Sequence, residues 1–288
     1  MFNVRIKHFC DTKQVQVFSR VQRSKGERVT VNCNMITGEI KPPKERGEMI
    51  FNPFTGEVER MTEYRPQSAE MVSYKSAVRT RKMIYDIARS DCWDWFFTLT
   101  FDPKKVDRYD YENCSKKLHN WLMNMHKKAP DMKYLVVPEQ HKDGAWHFHG
   151  LFKNVDGLDF RFSGKRDKRN RRIYNVESYK WGFTTATRIS DFRRASSYLC
   201  KYVTKDLCLH TKGKKRYWCS RNVERPVVSD FLIDGDYEEL LVKIFGDVPK
   251  DSHVKQIEVF GGKITYIDYD SQSIRKTCVC GIDCLKYL

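Results

Sequence analysis

Short apolar runs alternate with Gly, Asn and Pro turns over the first part of the chain, which predicts a small β-rich region at residues 1–63. Within it the pattern N-x-x-T-G-E-x occurs twice, as NMITGEI and NPFTGEV. Both copies predict β-hairpin turns flanked by strands, because Asn and Gly favour tight turns between extended segments. Two copies are too few for a solenoid, and the pattern indicates no function for this region.

The next segment, residues 66–93, begins near a proline and has apolar residues at helical spacing, which predicts a long basic helix. Its apolar positions are Met71, Tyr74, Val78 and Ile84. The run WDWFFTLTF at residues 93–101 is rich in aromatic and β-branched residues and predicts a buried strand that stops before Pro103. A further apolar stripe indicates an amphipathic helix and is formed by Cys114, Leu118, Trp121, Leu122 and Met125.

The central part of the chain predicts a hairpin, a basic insert, a strand and a helix. The two apolar runs of KYLVVPEQHKDGAWHFHGLF flank an Asp-Gly pair, which is a strong hairpin signal. After the insert RFSGKRDKRNRR, the segment YNVESYKWGFTTATRIS predicts a short helix and then a strand at about 183–189. Ser190 or Asp191 would cap the next helix. The order β-α-β-β-α-β-α predicts an α+β fold, with a central antiparallel or mixed sheet and helices on one face.

The composition indicates a folded protein with a polyanionic partner. Hydrophobic residues make up 40% and charged residues 31% of the 288 residues, as in globular chains. The formal charge of +16 favours nucleic acid as the partner, ahead of an acidic membrane surface. The sequence has no apolar run of about 18 residues and no signal-peptide core, so we expect a cytoplasmic protein without a membrane partner.

Ten cysteines are scattered along the chain. In a long basic chain without a leader, this usage predicts reduced thiols rather than a disulfide scaffold. Cys278, Cys280 and Cys284 lie close together, but their spacing differs from the paired C-x2-C of a zinc site, so we expect free cysteines there.

Two histidines in WHFHG lie two residues apart on the second strand of the predicted hairpin. Residues at this spacing project from one face of a strand, so His147 and His149 can direct two imidazoles at one point while Phe148 turns into the core. One interpretation is a metal site, and the other is a pair of exposed strand histidines. Mixed imidazole and oxygen ligands would favour Mg2+ or Mn2+ acting on phosphate.

The third ligand of such a site depends on the register of the hairpin. An odd-length loop would place His141 opposite His147 and Glu139 opposite His149, so that all four side chains face one side. A two-residue turn would instead bring Gln140 opposite His147, because a one-residue slip exchanges the faces. The third ligand is therefore open among Glu139, His141 and, less favoured, Gln140.

The stretch SSYLCKYVTKD places Tyr198 and Tyr202 one helical turn apart, beside Lys201. Both tyrosines would lie at the margin of a core-facing stripe formed by Phe192, Ala195, Leu199 and Val203. Packing alone explains tyrosines at such a margin, where the ring is buried and the hydroxyl is wet. The alternative is a pair of nucleophiles, because a divalent cation on a phosphate and a nearby lysine would allow phenols to attack it.

Together these motifs resemble the HUH endonucleases, and within them the two-tyrosine rolling-circle replication initiators of small, microvirus-like single-stranded DNA phages and related plasmids. FFTLTF resembles the first motif of that family, HFH at 147–149 its metal-binding motif, and YLCKY at 198–202 its nucleophile motif Y-x-x-K-Y. The three motifs occur in the family's order and cover roughly residues 93–206.

The resemblance implies an RRM-like palm that nicks single-stranded origin DNA through a 5′-phosphotyrosine intermediate and rejoins strands. It implies that His147 and His149 bind Mg2+ or Mn2+ and that Tyr198 and Tyr202 are the catalytic nucleophiles. Lys201 would assist them electrostatically. The third metal ligand would be Glu139 or His141.

The resemblance also implies partners in a bacterial host cytoplasm. The free 3′-hydroxyl would prime a host DNA polymerase. A host helicase would unwind the duplex, because the sequence contains no G-x-x-x-x-G-K-[ST] motif. A relaxase or a single-strand transposase shares this chemistry, and a non-catalytic nucleic-acid-binding protein would share the basic surface.

The chain is expected to divide into the β-rich N-terminal region at 1–63, an HUH endonuclease domain at 64–225 and a C-terminal region of unknown role at 226–288. Basic segments in the middle part predict DNA contacts, although solvated charged loops are the alternative. The candidate residues are Arg166, Lys168, Arg169, Arg171, Arg172, Lys205, Lys214, Lys215 and Arg216, with Tyr217 or Trp218 available to stack on a base.

Overall fold

The structure is a computed structural model that describes residues 1–22, 69–211, 213–235, 239, 253–259 and 262–270, and short strands at 32–33, 40–41, 49–51 and 58–60. The helices are α1 (Ala69–Ser90), α2 (Tyr111–Lys128), α3 (Phe192–Cys200) and α4 (Lys205–His210). The strands are β1 (Phe2–His8), β2 (Thr12–Gln22), β3 (Asn32–Cys33), β4 (Ile40–Lys41), β5 (Met49–Phe51), β6 (Val58–Arg60), β7 (Trp95–Phe101), β8 (Lys133–Gln140), β9 (Trp146–Lys153), β10 (Phe160–Arg166), β11 (Arg172–Val176), β12 (Gly182–Arg188), β13 (Trp218–Cys219), β14 (Val227–Phe231), β15 (His253–Val259) and β16 (Gly262–Asp270).

A seven-stranded antiparallel sheet forms the centre of the molecule, in the order β10-β11-β12-β7-β9-β8-β13. Its middle strand β7 alternates strictly, with Phe97 and Leu99 fully buried and Thr98 and Thr100 half-buried between them. This period of two gives the sheet one apolar face and one face on which polar groups are accessible. The α+β class and the central antiparallel sheet are confirmed.

Helices cover both faces of this sheet rather than the one face that was expected. On one face, Trp121 of α2 lies 6.2 Å from the ring of Phe152. On the other face, Tyr198 of α3 packs against Phe96, with 5.6 Å between the ring centroids. Phe96 pairs with Leu151, the neighbour of Phe152, so these two contacts lie on opposite sides of the sheet. The polar face therefore receives α3, which carries the first tyrosine.

The basic insert is part of the sheet. Residues 160–176 form the hairpin β10–β11, and the segment expected to begin as a short helix continues as β11. The helical stripe of α2 is confirmed, because all five of its predicted apolar residues are buried. In α1, by contrast, Ile84 is buried but Val78 is exposed. The inner face of α1 consists of Ala77, Ile84, Ile87 and Ala88.

A second sheet joins strands from both ends of the chain, in the order β14-β1-β2-β16-β15. It is attached to α1 by buried polar contacts: Lys7 binds Asp86 at 2.6 Å, and Arg89 donates to the Thr12 hydroxyl at 2.5 Å. The predicted hairpin strands also pair, β3 with β4 and β5 with β6, while the turn residues between them lie outside the described residues.

Two cysteines correct the expectation that all thiols are reduced. Cys10, in the turn between β1 and β2, forms a disulfide with Cys92, at the end of α1. The bond links the second sheet to the central one across 82 positions of sequence. Cys114, Cys200, Cys208 and Cys219 are free, whereas the cluster of Cys278, Cys280 and Cys284 lies outside the described residues.

Removing this disulfide should lower stability. A double change of Cys10→Ser and Cys92→Ser should reduce the free energy of unfolding by about 2–4 kcal/mol, because the unfolded chain regains the freedom of a long loop. Urea unfolding of both proteins measures the change. Alkylation of the unfolded, unreduced protein provides the control: Cys200 should be labelled while Cys10 and Cys92 stay linked. Labelling of all three would contradict the assignment.

None of the helices in the described part of the chain combines the length and apolar character needed to cross a bilayer.

Candidate active site

The hairpin β8–β9 has a register that differs from both of those considered from the sequence. Glu139 pairs directly with His147, and Gln140 pairs with Trp146. Residues 141–145 form the loop, closed by a hydrogen bond from the His141 N–H to the Ala145 carbonyl at 2.9 Å. Glu139 therefore faces the same side as His147 and His149, while Gln140 faces the other side and is excluded as a neighbour of the histidines.

Two threonines of β7 orient the histidines. The Nδ1 atom of His149 lies 3.1 Å from the Thr98 hydroxyl, and that of His147 lies 3.2 Å from the Thr100 hydroxyl. A proton on Nδ1 donates to the threonine oxygen and leaves the Nε2 lone pair free to bind a cation. The Thr-x-Thr spacing in FFTLTF matches the His-x-His spacing across the strand pair, but sequence reasoning did not assign a role to these threonines.

Four candidate ligands come together at this end of the hairpin. The Oε2 atom of Glu139 lies 2.7 Å from Nε2 of His149 and 3.4 Å from Nε2 of His141. The rings of His141 and His147 are stacked, with 3.7 Å between their centroids and an angle of 3°. Both residues proposed for the third ligand position thus contact the HFH histidines, and Glu139 makes the closer polar contact.

Burial and neighbouring charges set the protonation of these groups. Burial, followed by the nearby His141 and His149, lowers the pKa of His147 to about 4. Its imidazole is therefore neutral near pH 7. Burial alone would raise the pKa of Glu139, but the hydrogen bond with His149 and the surrounding histidines hold it below the ordinary value. The site thus offers neutral imidazole and ionised carboxylate, the protonation states that ligate metals.

The donor set fits Mg2+ or Mn2+, but the side chains are not spread around a common centre. Among the residues that the structure describes, no three His, Cys, Asp or Glu side chains have the mutual spacing of a metal-holding group. Glu139 lies directly on Nε2 of His149. A cation could be held here only if these two groups moved apart to share it.

The two tyrosines lie beside the histidines, although not on one helix as was expected. Helix α3 is capped by Asp191, which accepts from the Arg194 N–H at 3.0 Å, and the helix ends at Cys200. Tyr198 therefore lies in the last turn of the helix, and Tyr202 lies just after it. The Tyr202 ring is stacked on His149, with 3.9 Å between centroids and an angle of 4°.

Tyr198 and Tyr202 nevertheless contact each other, with 5.3 Å between their ring centroids. Leu199 and Val203 are fully buried, as the predicted stripe required, and hold this segment against the sheet. Phe192 and Ala195 of that stripe are half-buried. Packing and chemistry are thus compatible at this position, because the buried residues fix the segment that carries the tyrosines.

The two phenols differ in environment. Tyr198 is 47% exposed, and the Lys201 amine lies 5.5 Å from the centre of its ring. Tyr202 is half-buried. Burial, then the Tyr198 hydroxyl and then the Glu139 carboxylate raise the pKa of Tyr202 above that of an ordinary phenol. Tyr202 is therefore a neutral hydroxyl in this arrangement, and its attack would need positive charge close by.

A cleft of about 1030 Å³ opens next to Tyr198 and Lys201. Its floor is the polar face of the sheet, including Phe96, Thr98 and Thr185, and its sides come from hairpin β10–β11, helix α3 and the second sheet. Cationic groups at its margin are Arg169, Arg171, Arg193 and Arg194. A cleft with basic margins leading to two phenols suits a nucleic-acid strand.

The structure separates the candidate DNA-binding residues of the insert into two groups. Arg169 and Arg171 line the cleft. Arg166 donates to the Asn170 carbonyl at 2.7 Å, and Arg172 lies over an exposed ring on the outer hairpin. Lys168 is exposed in the hairpin turn. The insert thus directs only part of its charge toward the tyrosines.

The second basic segment is largely committed to packing. Arg216 bonds to Thr211, Ser76 and the Cys208 carbonyl. Lys214 pairs with Glu112 at 3.0 Å, while Lys215 is exposed beside it. These residues line a separate pocket of about 550 Å³.

Trp218 corrects the expectation that either neighbouring aromatic residue is available for a base. It is buried against Phe148, with 5.3 Å between ring centroids, and cannot stack on a nucleotide. Tyr217 is half-buried against the core. The side chain of Lys205, also a candidate for DNA binding, lies outside the described residues.

Residues 94–207 match a family model described as replication-associated protein ORF2. The matched segment contains β7, the histidine hairpin, the cleft-forming insert and both tyrosines, and it covers less than half of the chain. The match supports a relation to rolling-circle replication initiators. Neither curated proteins nor solved structures gave a significant match.

Proposed function

We propose that this protein is a two-tyrosine HUH endonuclease that initiates rolling-circle replication by nicking single-stranded origin DNA and rejoining it. The observation that carries the proposal is the contact of Tyr202 with His149, beside Tyr198, on the polar face of the sheet. Phenol nucleophiles and metal-ligating side chains thus meet at one point next to a basic cleft.

The proposed step is a transesterification. A tyrosine hydroxyl gives up its proton as its oxygen bonds to the scissile phosphorus. The bond between phosphorus and the 3′-oxygen breaks, and the departing oxygen takes up a proton. The products are a 5′-phosphotyrosine and a free 3′-hydroxyl, and attack by that hydroxyl on the phosphotyrosine rejoins the strand.

The residues of the site have distinct roles in this proposal. Bound to His147, His149 and Glu139 or His141, Mg2+ or Mn2+ would draw negative charge from the scissile phosphate. Lys201 stabilises developing phenolate at Tyr198, the ring closest to its amine.

The basic margin of the cleft holds the DNA strand. Arg169 and Arg171 neutralise its phosphates at the entrance. A host polymerase would extend the 3′-end, and a host helicase would open the duplex, in the bacterial cytoplasm.

Denaturing electrophoresis with labelled single-stranded DNA from the protein's own replicon tests this proposal. With Mg2+ or Mn2+, the protein should remain attached to the fragment that begins at the nick, and the other fragment should be extendable by a polymerase. Chelation of the metal should remove both products. If the protein binds this DNA but forms no adduct with either metal, it is a nucleic-acid-binding protein and the proposal fails.

A further inference from the structure

A row of side chains crosses the polar face of the sheet and ends in an exposed aromatic ring. Phe183 of β12 pairs with Thr100 of β7, which pairs with His147 of β9, which pairs with Glu139 of β8. Directly paired residues of an antiparallel sheet project to the same side. Phe183 therefore stands on the same face as the histidines, two strands away, at a distance of roughly 10 Å from His147.

The exposure of Phe183 is not required by the packing of its strand. The neighbours Thr184 and Ala186 point to the opposite face and are buried there, whereas the Phe183 side chain is 57% exposed. Among the described residues, no aromatic ring packs on it. A single exposed apolar residue is common on protein surfaces, so exposure alone decides nothing. What distinguishes this ring is its place in the row of the candidate ligands.

The row next to it gives this surface a direction. Thr185 pairs with Thr98, which pairs with His149, and Thr185 also lines the basic cleft. The polar face thus runs from the Phe183 ring past threonine hydroxyls to the arginines of the cleft. Hydroxyls and arginines suit phosphates, and a flat apolar ring suits the face of a base.

We infer that Phe183 is a stacking platform for a base of single-stranded DNA close to the scissile phosphate. This inference rests on the proposed function, because it places the same strand on the same face of the sheet. The ring holds the base by stacking, which every base permits, and so positions the adjoining phosphate beside His147. Phe183 is a positioning residue rather than a catalytic one.

Binding to DNA in the absence of metal tests the inference separately from nicking. By fluorescence anisotropy in a chelating buffer, Phe183→Ala should weaken the binding of oligo(dT) by roughly 5- to 150-fold, the range expected for one stacked base. Phe183→Trp should bind within about twofold of the wild type, because its ring also stacks. The melting temperature should not change, since the side chain is exposed.

Phe162 provides the matched control. It is also an exposed phenylalanine of the same sheet, at 46%, but it pairs with Tyr174, which pairs with Ala186 on the opposite face. Phe162→Ala should therefore bind oligo(dT) as the wild type does. Equal weakening by both alanine variants, or none by Phe183→Ala, would overturn the inference.

An abasic oligonucleotide of equal length distinguishes stacking from backbone contact. It presents the same phosphates without bases, so Phe183→Ala should leave its binding unchanged. A loss of affinity as large as that for oligo(dT) would refute stacking. If the wild type shows the base preference but forms no covalent adduct with metal, the platform stands while the proposed nicking activity fails.

Discussion

Changing both Tyr198 and Tyr202 to phenylalanine should abolish the covalent protein–DNA adduct, with a rate loss on the order of a million-fold or to the limit of detection. Phenylalanine keeps the ring contacts with Phe96 and His149 but removes the oxygen that would bond to phosphorus. The fold and the affinity for DNA should therefore change little. Denaturing electrophoresis measures the adduct, and anisotropy measures the binding.

The single variants separate the two roles. Each should still form an adduct, because either remaining phenol lies beside the same histidines and within ring contact of the other. Transfer of a strand to a second cleaved end should fall more than the first cut, since that exchange uses both tyrosines. Two oligonucleotides with different labels report the exchange.

A tyrosine outside the site controls for unspecific effects. Tyr109 is exposed in the loop before α2, so Tyr109→Phe should leave both adduct and transfer unchanged. An adduct that persists in the double variant would show that another residue is the nucleophile. A peptide map of the adduct would then identify it.

Alternating and helical patterns were sufficient to predict the elements around this site. The strict alternation of β7 and the stripe of α2 depend on burial of one face, which the sequence records directly. The H-x-H spacing likewise placed both histidines on one side of β9, whatever the hairpin loop. Such local rules hold because the period of a strand or helix is fixed.

The details that failed depend on contacts distant in sequence or on turn geometry. The hairpin register follows from the 141–145 loop, in which Gly144 adopts a left-handed φ of 86°. Helix α3 stops before Tyr202 because Thr204 starts a new helix, accepting from the Leu207 N–H at 3.0 Å. Arg81 of α1 also binds the Val203 carbonyl at 2.6 Å. The second sheet combines both ends of the chain, which no local pattern encodes.

Changing His147 and His149 to alanine should abolish nicking while sparing DNA binding. The loss removes two imidazole ligands, and the charge stabilisation that they support is worth several kcal/mol, so the rate should fall by about a thousand-fold or more. Binding should stay within about threefold, because the arginines of the cleft and the Phe183 ring are untouched. Adduct formation across a series of Mn2+ concentrations measures the first effect, and anisotropy measures the second.

Folding is the competing cause of such a loss, because His149 is buried and supports the Tyr202 ring. Glu139→Gln avoids this problem, since it keeps the side-chain shape and removes only the negative charge; it should lower the nicking rate and raise the Mn2+ concentration required. His119→Ala, on the exposed side of α2, is the matched histidine control and should change neither property. Equal loss of nicking and binding in the histidine variant, with a lowered melting temperature, would mean that the pair is structural. Full activity of Glu139→Gln at low Mn2+ would leave His141 as the third ligand, because its ring nitrogen lies within 3.4 Å of the same carboxylate.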